Sequence, residues 1–204
     1  MTQHIMIDLE TMSTTPNAAI VQIGAVLFDP LGPPIPIPNG GLSDYPGYFW
    51  NVDLGSCQKV GLGIDGDTVR WWLEQPKEAQ QALLDPDPIS LATALTALSH
   101  VVWWPDGSEV GWDDCRMWSH GSTFDCVILD QAYRAVGKRT PWHFRNVRDT
   151  RTLFELADPD QKIPWEDGGI KHHALWDAWR QAIKVQKCYQ LLCTRVEVIG
   201  DTSL

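Results

Sequence analysis

Two neighbouring strand patterns near the start of the chain constrain its fold more than any other feature of the sequence. In residues 4–10 (HIMIDLE) the Ile and Leu side chains take every second position, as in a strand with one buried face. Residues 19–28 (AIVQIGAVLF) are apolar almost throughout, which predicts a second, more deeply buried strand that ends before Asp29 and Pro30. We therefore expect the core to be built around a β-sheet.

The rest of the chain alternates between helical and strand patterns. A third strand pattern covers residues 48–54 (YFWNVDL), and short strands are expected at 115–119 and near 142–147. The expected helices are VRWWLE capped by Asp67 or Thr68, KEAQQALL with Pro76 at its first position, LATALTALSHVVW capped by Ser90, FDCVILDQAYRAVG ended by Gly137, a short helix near 151–157 and a last helix from about 172 to 193. This order predicts an α/β fold with helices packed on both faces of a mixed sheet.

Length and composition suit one compact domain. The chain has 204 residues and is 44% hydrophobic, so we expect a single domain over residues 1–204, with the Pro- and Gly-rich segment 30–47 as a hairpin loop or insertion. The sequence contains no apolar run of about 18 residues and no secretory signal at its N-terminus. Five scattered cysteines without CxxC spacing fit a reducing compartment. We therefore expect a cytoplasmic protein without a membrane partner.

The net charge of −10 argues against a nucleic-acid partner, but the charge is unevenly distributed. Residues 1–133 carry 4 Lys and Arg against 17 Asp and Glu, whereas residues 134–187 carry 11 against 7. The basic residues of the second segment include Arg145, Arg148, Arg151 and Lys171. Each of them alone is most simply a solvated surface residue, but together they could meet phosphate groups.

Two carboxylates share one face of the first strand. Asp8 and Glu10 are two residues apart, so their side chains project together. Like charges this close repel unless a cation lies between them, and a hard divalent cation prefers oxygen ligands. Because the DxE pattern is short and common, taken alone it favours an acidic pair at a solvated strand end.

A third carboxylate lies in WSHGSTFDCVIL, where a strand, a short turn and a helix meet. Asp125 occupies the carboxyl end of a strand, which is where α/β folds build their sites. Capping of the following helix would explain the same residue as well.

The segment GGIKHHALWDA, residues 168–178, adds two histidines and a fourth carboxylate. Asp177 lies about 100° from the apolar stripe of the last helix, so it need not belong to the core. Helical spacing pairs His173 with Asp177, since residues four apart share a face. His172 is five residues from Asp177 and would point elsewhere on an unbroken helix. Spacing alone therefore favours His173.

Together these motifs resemble those of the DEDDh exonucleases, the DnaQ-like 3′-to-5′ exonucleases of the ribonuclease-H-like fold. IDLET with Asp8 and Glu10, STFD with Asp125, and HHALWDA with His172 and Asp177 follow the family order of DxE, FD and HxxxxD. IVQIGAVLFDP looks like the second strand of the family. DTVRWWLEQPKEAQQAL is similar to a subgroup of phage-type exonucleases and small bacterial 3′-to-5′ exoribonucleases. The five-residue step of HxxxxD selects His172 as the family histidine.

The resemblance implies two divalent cations, Mg²⁺ or Mn²⁺, held by Asp8, Glu10, Asp125 and Asp177. Four carboxylates offset the charge of two such ions, which suit an all-oxygen site. Two cations would also neutralise charge on both oxygens of an in-line displacement in phosphodiester hydrolysis.

The resemblance also implies roles for the residues before the last helix. His172 would be the general base, because histidine exchanges protons near neutral pH. Gly168 and Gly169 would form the hinge of its loop, and His173 would pack or cap at the start of the helix.

The implied activity is hydrolysis from single-stranded 3′ ends or overhangs of DNA or RNA, with release of nucleoside 5′-monophosphates. A homodimer and a bacterial or phage-infected cell are expected by the same analogy. His120 stands where many relatives carry Asn, and segment 30–47 is unusually proline-rich, so substrate preference stays open. The alternatives are an oligoribonuclease-type enzyme and a non-catalytic nucleic-acid-binding module of the same fold.

Overall fold

The computed structural model describes residues 2–36, 47–84, 87–102, 114–166 and 169–201, with side chains up to residue 194. Its strands are β1 (Gln3–Thr11), β2 (Ile20–Phe28), β3 (Gly47–Asn51), β4 (Cys115–Ser119) and β5 (Val147–Asp149). They form one sheet in the order β3-β2-β1-β4-β5. β1 pairs antiparallel with β2 and parallel with β4, β2 pairs antiparallel with β3, and β4 pairs parallel with β5. The sheet is therefore mixed, as the sequence predicts.

Helices connect and cover these strands. They are α1 (Leu54–Lys59), α2 (Gly66–Leu73), α3 (Lys77–Ala82), α4 (Leu91–Val101), α5 (Asp125–Ala135), α6 (Thr150–Ala157) and α7 (Ala174–Asp201). A 3₁₀ turn, Phe144–Asn146, precedes β5. The prediction of an α/β fold is confirmed.

The two faces of β1 pack against different helices. Ile5, Ile7 and Leu9 contribute to a core that also contains residues of α4 and α5. Met6, on the opposite face, belongs to a second core with residues of α6 and α7. Each large apolar side chain buried in this way stabilises the fold by about 1.5–3 kcal/mol. Helices therefore cover both faces of the sheet.

The first turn of α7 lies unusually close to β2. A Cβ atom at Gly24 would lie 2.2 Å from the carbonyl carbon of Ala174, so only glycine allows this approach. The fully buried Gln22 accepts a hydrogen bond from the Ala174 N–H through Oε1 at 3.3 Å. This bond satisfies one of the free N–H groups at the start of a helix. β2 therefore sets the position at which α7 begins.

Several element boundaries differ from the sequence-based expectations. The third strand ends at Asn51 because Asp53 caps α1, a short helix that the strand pattern had obscured. α2 is capped by Asp65, so the prediction of Asp67 or Thr68 as its cap is wrong.

Other boundaries agree or shift by only a few residues. Pro76 is the N-cap of α3 rather than its first helical residue. Ser90 caps α4 as predicted, and Gly137 follows α5 with φ +70°. The strand expected near 142–147 is a 3₁₀ turn followed by β5, since only the last residues of this segment pair with β4.

Within the described residues, no helix combines the length and apolar character needed to cross a membrane. All five cysteines are free thiols, and four of them are buried. The predicted insertion at 30–47 lies mostly outside the described residues.

Candidate active site

Asp8 and Glu10 project from the face of β1 that packs against α7. Gln181 of α7 donates a hydrogen bond from Nε2 to Asp8 Oδ1 at 2.8 Å. Glu10 is only 8% exposed, so this acidic pair does not lie at a solvated strand end. Burial of two neighbouring carboxylates is expensive and calls for a compensating charge.

Asp125 reaches this pair from the carboxyl end of β4. The parallel pairing of β1 with β4 stops at Met6 and Trp118. Further along β1, the Leu9 backbone N–H donates to Asp125 Oδ1 at 3.1 Å. Asp125 is the first residue of α5 and is 4% exposed. Its carboxylate is therefore directed at β1 and does not serve as the N-cap of its own helix.

Asp177 enters the site from the first turn of α7. Arg180, one turn further on, donates from Nη2 to Asp177 Oδ1 and, at 3.2 Å, to the carbonyl of Ile170. The guanidinium group thereby connects the helix to the loop that precedes it.

His172 is the histidine that joins these carboxylates. One ligand-type atom each from Glu10, His172 and Asp177 lies within 4.8 Å of the other two. His172 stands two residues before α7 and has φ +57°, a left-handed conformation that is uncommon outside glycine. Its ring lies edge-on to Trp71, with centroids 4.9 Å apart.

His173 has a different environment. Its ring stacks on Phe49 with a centroid distance of 4.3 Å, and the residue is 6% exposed. Burial lowers the pKa of His173, and its Nδ1 has no hydrogen-bond partner among the residues that the structure describes. The pairing expected from helical spacing fails because α7 begins only at Ala174, after both histidines. Gly169 packs against Trp176 with φ +74°, whereas Gly168 lies outside the described residues, so the hinge stays a prediction.

Burial raises the pKa of three of the carboxyl groups, and repulsion by neighbouring carboxylates adds to this effect at Asp8 and Glu10. Desolvation, followed by the charges of Asp125, Glu10 and Asp177, raises the pKa of Asp8 well above its usual range. Desolvation, followed by the charges of Asp177 and Asp125, raises the pKa of Glu10 to about 8. Desolvation also raises the pKa of Asp125 to about 7. These interactions show that all four carboxylates share one site, which we call the acidic cluster.

The donor set of the acidic cluster fits divalent cations. Four carboxylates and one imidazole supply oxygen and nitrogen ligands. Arg180 offsets only part of the negative charge, and the neutral Gln181 adds a single hydrogen bond. A bound cation would favour the ionised carboxylates and reverse the shifts in pKa that burial causes. Oxygen-rich sites of this kind suit hard ions such as Mg²⁺ or Mn²⁺.

Two cavities open beside the acidic cluster. The first, of about 550 Å³, is lined by Asp8, His172 and Asp177 together with Trp165. Trp165 is 44% exposed, and Lys184 Nζ lies over its ring at 4.7 Å from the centroid.

The second cavity, of about 630 Å³, is lined by Glu10 and by aromatic residues that include Trp71, Trp72 and Phe124. Trp72 is anchored by a hydrogen bond from its Nε1 to the Thr11 carbonyl at 3.0 Å. The acidic cluster therefore lies between two aromatic-lined depressions.

His120 forms part of the wall of the first cavity. Its Nδ1 is 2.8 Å from Thr150 Oγ1, and its ring lies edge-on to Trp165 at 5.6 Å. Burial, followed by the charge of Arg151, lowers the pKa of His120. Burial of this wall residue therefore disfavours its charged form.

Arg180, Gln181, Trp71 and Trp165 were not singled out from the sequence. Arg180 and Gln181 follow Asp177 by three and four residues, which puts them on the same side of a helix. That spacing was the available signal. No sequence signal distinguished Trp71 and Trp165, because most tryptophans of any sequence are expected in the core.

Solved structures confirm the fold class. The chain is similar to Escherichia coli Exonuclease I in complex with a dT13 oligonucleotide, with 13% identity and a TM-score of 0.61 over 98% of this chain and 44% of that one. It is also similar to cell-death related nuclease 4 (13% identity, TM-score 0.59, 93% of this chain and 64% of that one). A third match is the nuclease domain of 3′hExo, a DEDDh family member bound to rAMP (14% identity, TM-score 0.53, 91% and 90%).

These matches and the sheet topology define a ribonuclease-H-like α/β fold. The chain spans less than half the length of Exonuclease I. A family model described as the 3′-5′ exoribonuclease Rv2179c-like domain matches residues 3–189, and the chain belongs to this family. The matched range contains all four carboxylates and His172, in agreement with the resemblance of the motifs to DEDDh exonucleases. A comparison with curated proteins gives no match.

Proposed function

We propose that the protein is a metal-dependent exonuclease that removes nucleotides from single-stranded 3′ ends and releases nucleoside 5′-monophosphates. One observation carries the proposal: Glu10, His172 and Asp177 converge within 4.8 Å, and Asp8 and Asp125 interact electrostatically with the same group. Convergence of a histidine with four carboxylates from three elements has no structural purpose, because these buried charges repel one another.

The four carboxylates are proposed to hold two divalent cations, Mg²⁺ or Mn²⁺. Bound there, the cations would supply charge neutralisation on the phosphate and activation of the attacking water. The residues Asp8 and Asp125 are held in place by hydrogen bonds from Gln181 and from the Leu9 N–H. These bonds keep the carboxylate oxygens directed into the site.

His172 is proposed as the general base that takes a proton from the attacking water. Its left-handed backbone places the ring beside Glu10 and Asp177, outside the hydrogen-bonded helix. The edge-on contact with Trp71 limits the orientations that the ring can adopt. His173 is held by stacking on Phe49 and does not take this role.

RNA is the favoured substrate. The family is described as exoribonuclease domains, and His120 and Trp165 shape a cavity that can receive a nucleotide. DNA ends are the second candidate, because Exonuclease I was crystallised with a DNA oligonucleotide. A homodimer and a cytoplasmic location, both expected from the sequence, remain predictions.

The test is degradation of 5′-labelled single-stranded RNA and DNA of the same sequence, with Mg²⁺, with Mn²⁺ and with chelator. We expect a ladder that shortens from the 3′ end, faster for RNA, and that disappears with chelator. A 3′-phosphate on the substrate should block the reaction if a free 3′ end is required. Absence of degradation with either metal would contradict the proposal and favour a binding module.

A further inference from the structure

A third depression, of about 630 Å³, lies between α5 and the segment that follows it, and we call it the basic groove. One wall is a stripe of α5 and of the turn before it, formed by Thr123, Val127, Asp130 and Arg134. These residues are three or four positions apart, so they share one side of the helix. None of them belongs to the acidic cluster.

The other wall is the segment 138–147. It carries Lys138, whose Nζ also donates a hydrogen bond to Thr96 Oγ1, and Arg139, together with the aromatic residues Trp142 and Phe144. Phe144 is 74% exposed, and Arg145 Cζ lies 5.6 Å from its ring centroid. The groove therefore combines an apolar surface with a cationic rim.

Charge separates this region from the rest of the protein. Residues 138–151 contain five Lys and Arg and one acidic residue, in a chain with a net charge of −10, and Lys138 and Arg139 are the two of these basic residues that line the groove. Arg134 pairs with Asp130, but the Arg134 side chain is 70% exposed. Exposed ion pairs contribute little to stability, so Arg134 can exchange this partner for a phosphate at small cost. The groove is thus complementary to an anionic chain that also carries aromatic rings.

The groove begins at the edge of the active site. Phe124 lines the cavity that contains Glu10, whereas the preceding residues, Ser122 and Thr123, line the groove. Asp149, at the end of β5, holds this turn by accepting hydrogen bonds from the Ser122 N–H at 2.7 Å and Oγ at 3.0 Å. Consecutive residues of one turn therefore line the groove and the cavity that contains Glu10.

We propose that the basic groove binds the part of a single-stranded nucleic acid that lies 5′ to the bond being cut. Lys138 and Arg139 contact its phosphates, and a base stacks on Phe144. The proposal rests on the proposed function, and it adds that substrates long enough to reach the groove bind better than trimers.

The test compares KM for a 12-nucleotide and a 3-nucleotide RNA that share their 3′ sequence. The groove variant is Lys138→Ala/Phe144→Ala. Its matched control is Lys77→Ala/Leu84→Ala, which also removes one exposed lysine and one exposed apolar side chain, the latter 76% exposed. In the groove variant only, we expect KM for the 12-mer divided by KM for the trimer to rise about tenfold, because the 12-mer loses its contacts with the groove. For the 12-mer, the slope of log binding constant against log salt concentration should become shallower by about one unit in the groove variant.

An unchanged ratio, or an equal change in the control, would overturn the proposal. An unchanged ratio is also the result expected if the groove instead receives a second copy of this chain. If the wild-type protein cleaves neither RNA, the proposed function fails, and fluorescence anisotropy with the 12-mer then decides about the groove. Weaker binding by the groove variant alone supports the proposal, whereas equal binding by variant and control contradicts it.

Discussion

The two faces of β1 differ in what they contribute to the protein. Ile5, Ile7 and Leu9 lie in a continuous apolar core and are buried. On the opposite face Met6 joins the second core, but Asp8 and Glu10 follow it toward the carboxyl end of the strand.

One face of β1 therefore stabilises the fold, whereas the other face supplies two carboxylates of the acidic cluster. The apolar face releases free energy by leaving water, whereas the acidic face is held in an environment that raises the pKa of its carboxyl groups. The second face is destabilising until a cation binds, which is typical of functional sites. Adjacent residues of β1 should therefore respond to substitution in opposite ways.

The largest expected effect is on activity in Asp8→Asn. The variant keeps an oxygen that can accept from Gln181 but loses the charge, so we expect the exonuclease rate to fall by about a thousandfold or more. Without metal, its melting temperature at pH 8 should be higher than that of the wild type. Ile7→Ala is the matched control: it should lower the free energy of unfolding by about 2–5 kcal/mol and leave kcat of the folded protein nearly unchanged. Loss of stability in metal-free Asp8→Asn would contradict the contrast between the two faces.

The second prediction separates the two adjacent histidines. His172→Ala should lower kcat by about a hundredfold or more, as expected for loss of a general base, and should still bind metal. His173→Ala should retain most of kcat but melt at a lower temperature, because it removes the stacking on Phe49. Steady-state kinetics and thermal unfolding of both variants decide the assignment, which is wrong if His173→Ala is the inactive protein.

The third prediction concerns the pH dependence of the metal-free protein. The pKa of Glu10 is raised from 4.5 to about 8 in the folded protein. Between these two pH values the folded protein therefore binds more protons than the unfolded protein. The associated stability is present below about pH 4.5 and is lost as the pH rises through about 8. Thermal unfolding with chelator should therefore show a falling melting temperature from pH 5 to pH 8. Added Mg²⁺ should raise the melting temperature more at pH 8 than at pH 5, and an equal effect at both would argue against a shared carboxylate site.

The smallest expected effect follows from removing a supporting hydrogen bond. Gln181→Leu leaves all ligands in place but removes the donor to Asp8 Oδ1. Loss of such an outer partner weakens metal binding by about tenfold or more. Activity measured against Mg²⁺ concentration should shift to higher concentrations with little change at saturation, and a loss that persists at saturating Mg²⁺ would give Gln181 a more direct role.

Elements with strong local patterns were predicted well from the sequence. β1 and β4 match their expected ranges within one residue, because alternation and bounding turns are local features. The short helix α1 was missed, since its six residues follow a strand without a helical pattern of their own. The predicted cap was wrong by two or three residues at α2 and the predicted start by one residue at α3, because several neighbouring residues can cap equally well.

The acidic cluster could be assembled from motifs but not from geometry alone. Spacing within a helix favoured His173, and the family pattern favoured His172. The structure brings His172 to Glu10 and Asp177, since β2 positions the start of α7 through Gln22 and Gly24. That constraint comes from residues about 150 positions away in the sequence and leaves no local signal near the histidines.

The sequence by itself determined the strands, most of the helices, and the presence of a DxE, FD and HxxxxD set, because periodicity and motif order are properties of neighbouring residues. Only the tertiary structure decided which histidine faces the carboxylates, how Arg180 and Gln181 support them, and where the basic groove meets the site. These features depend on contacts between segments far apart in the chain, which form only when the sheet and helices pack together.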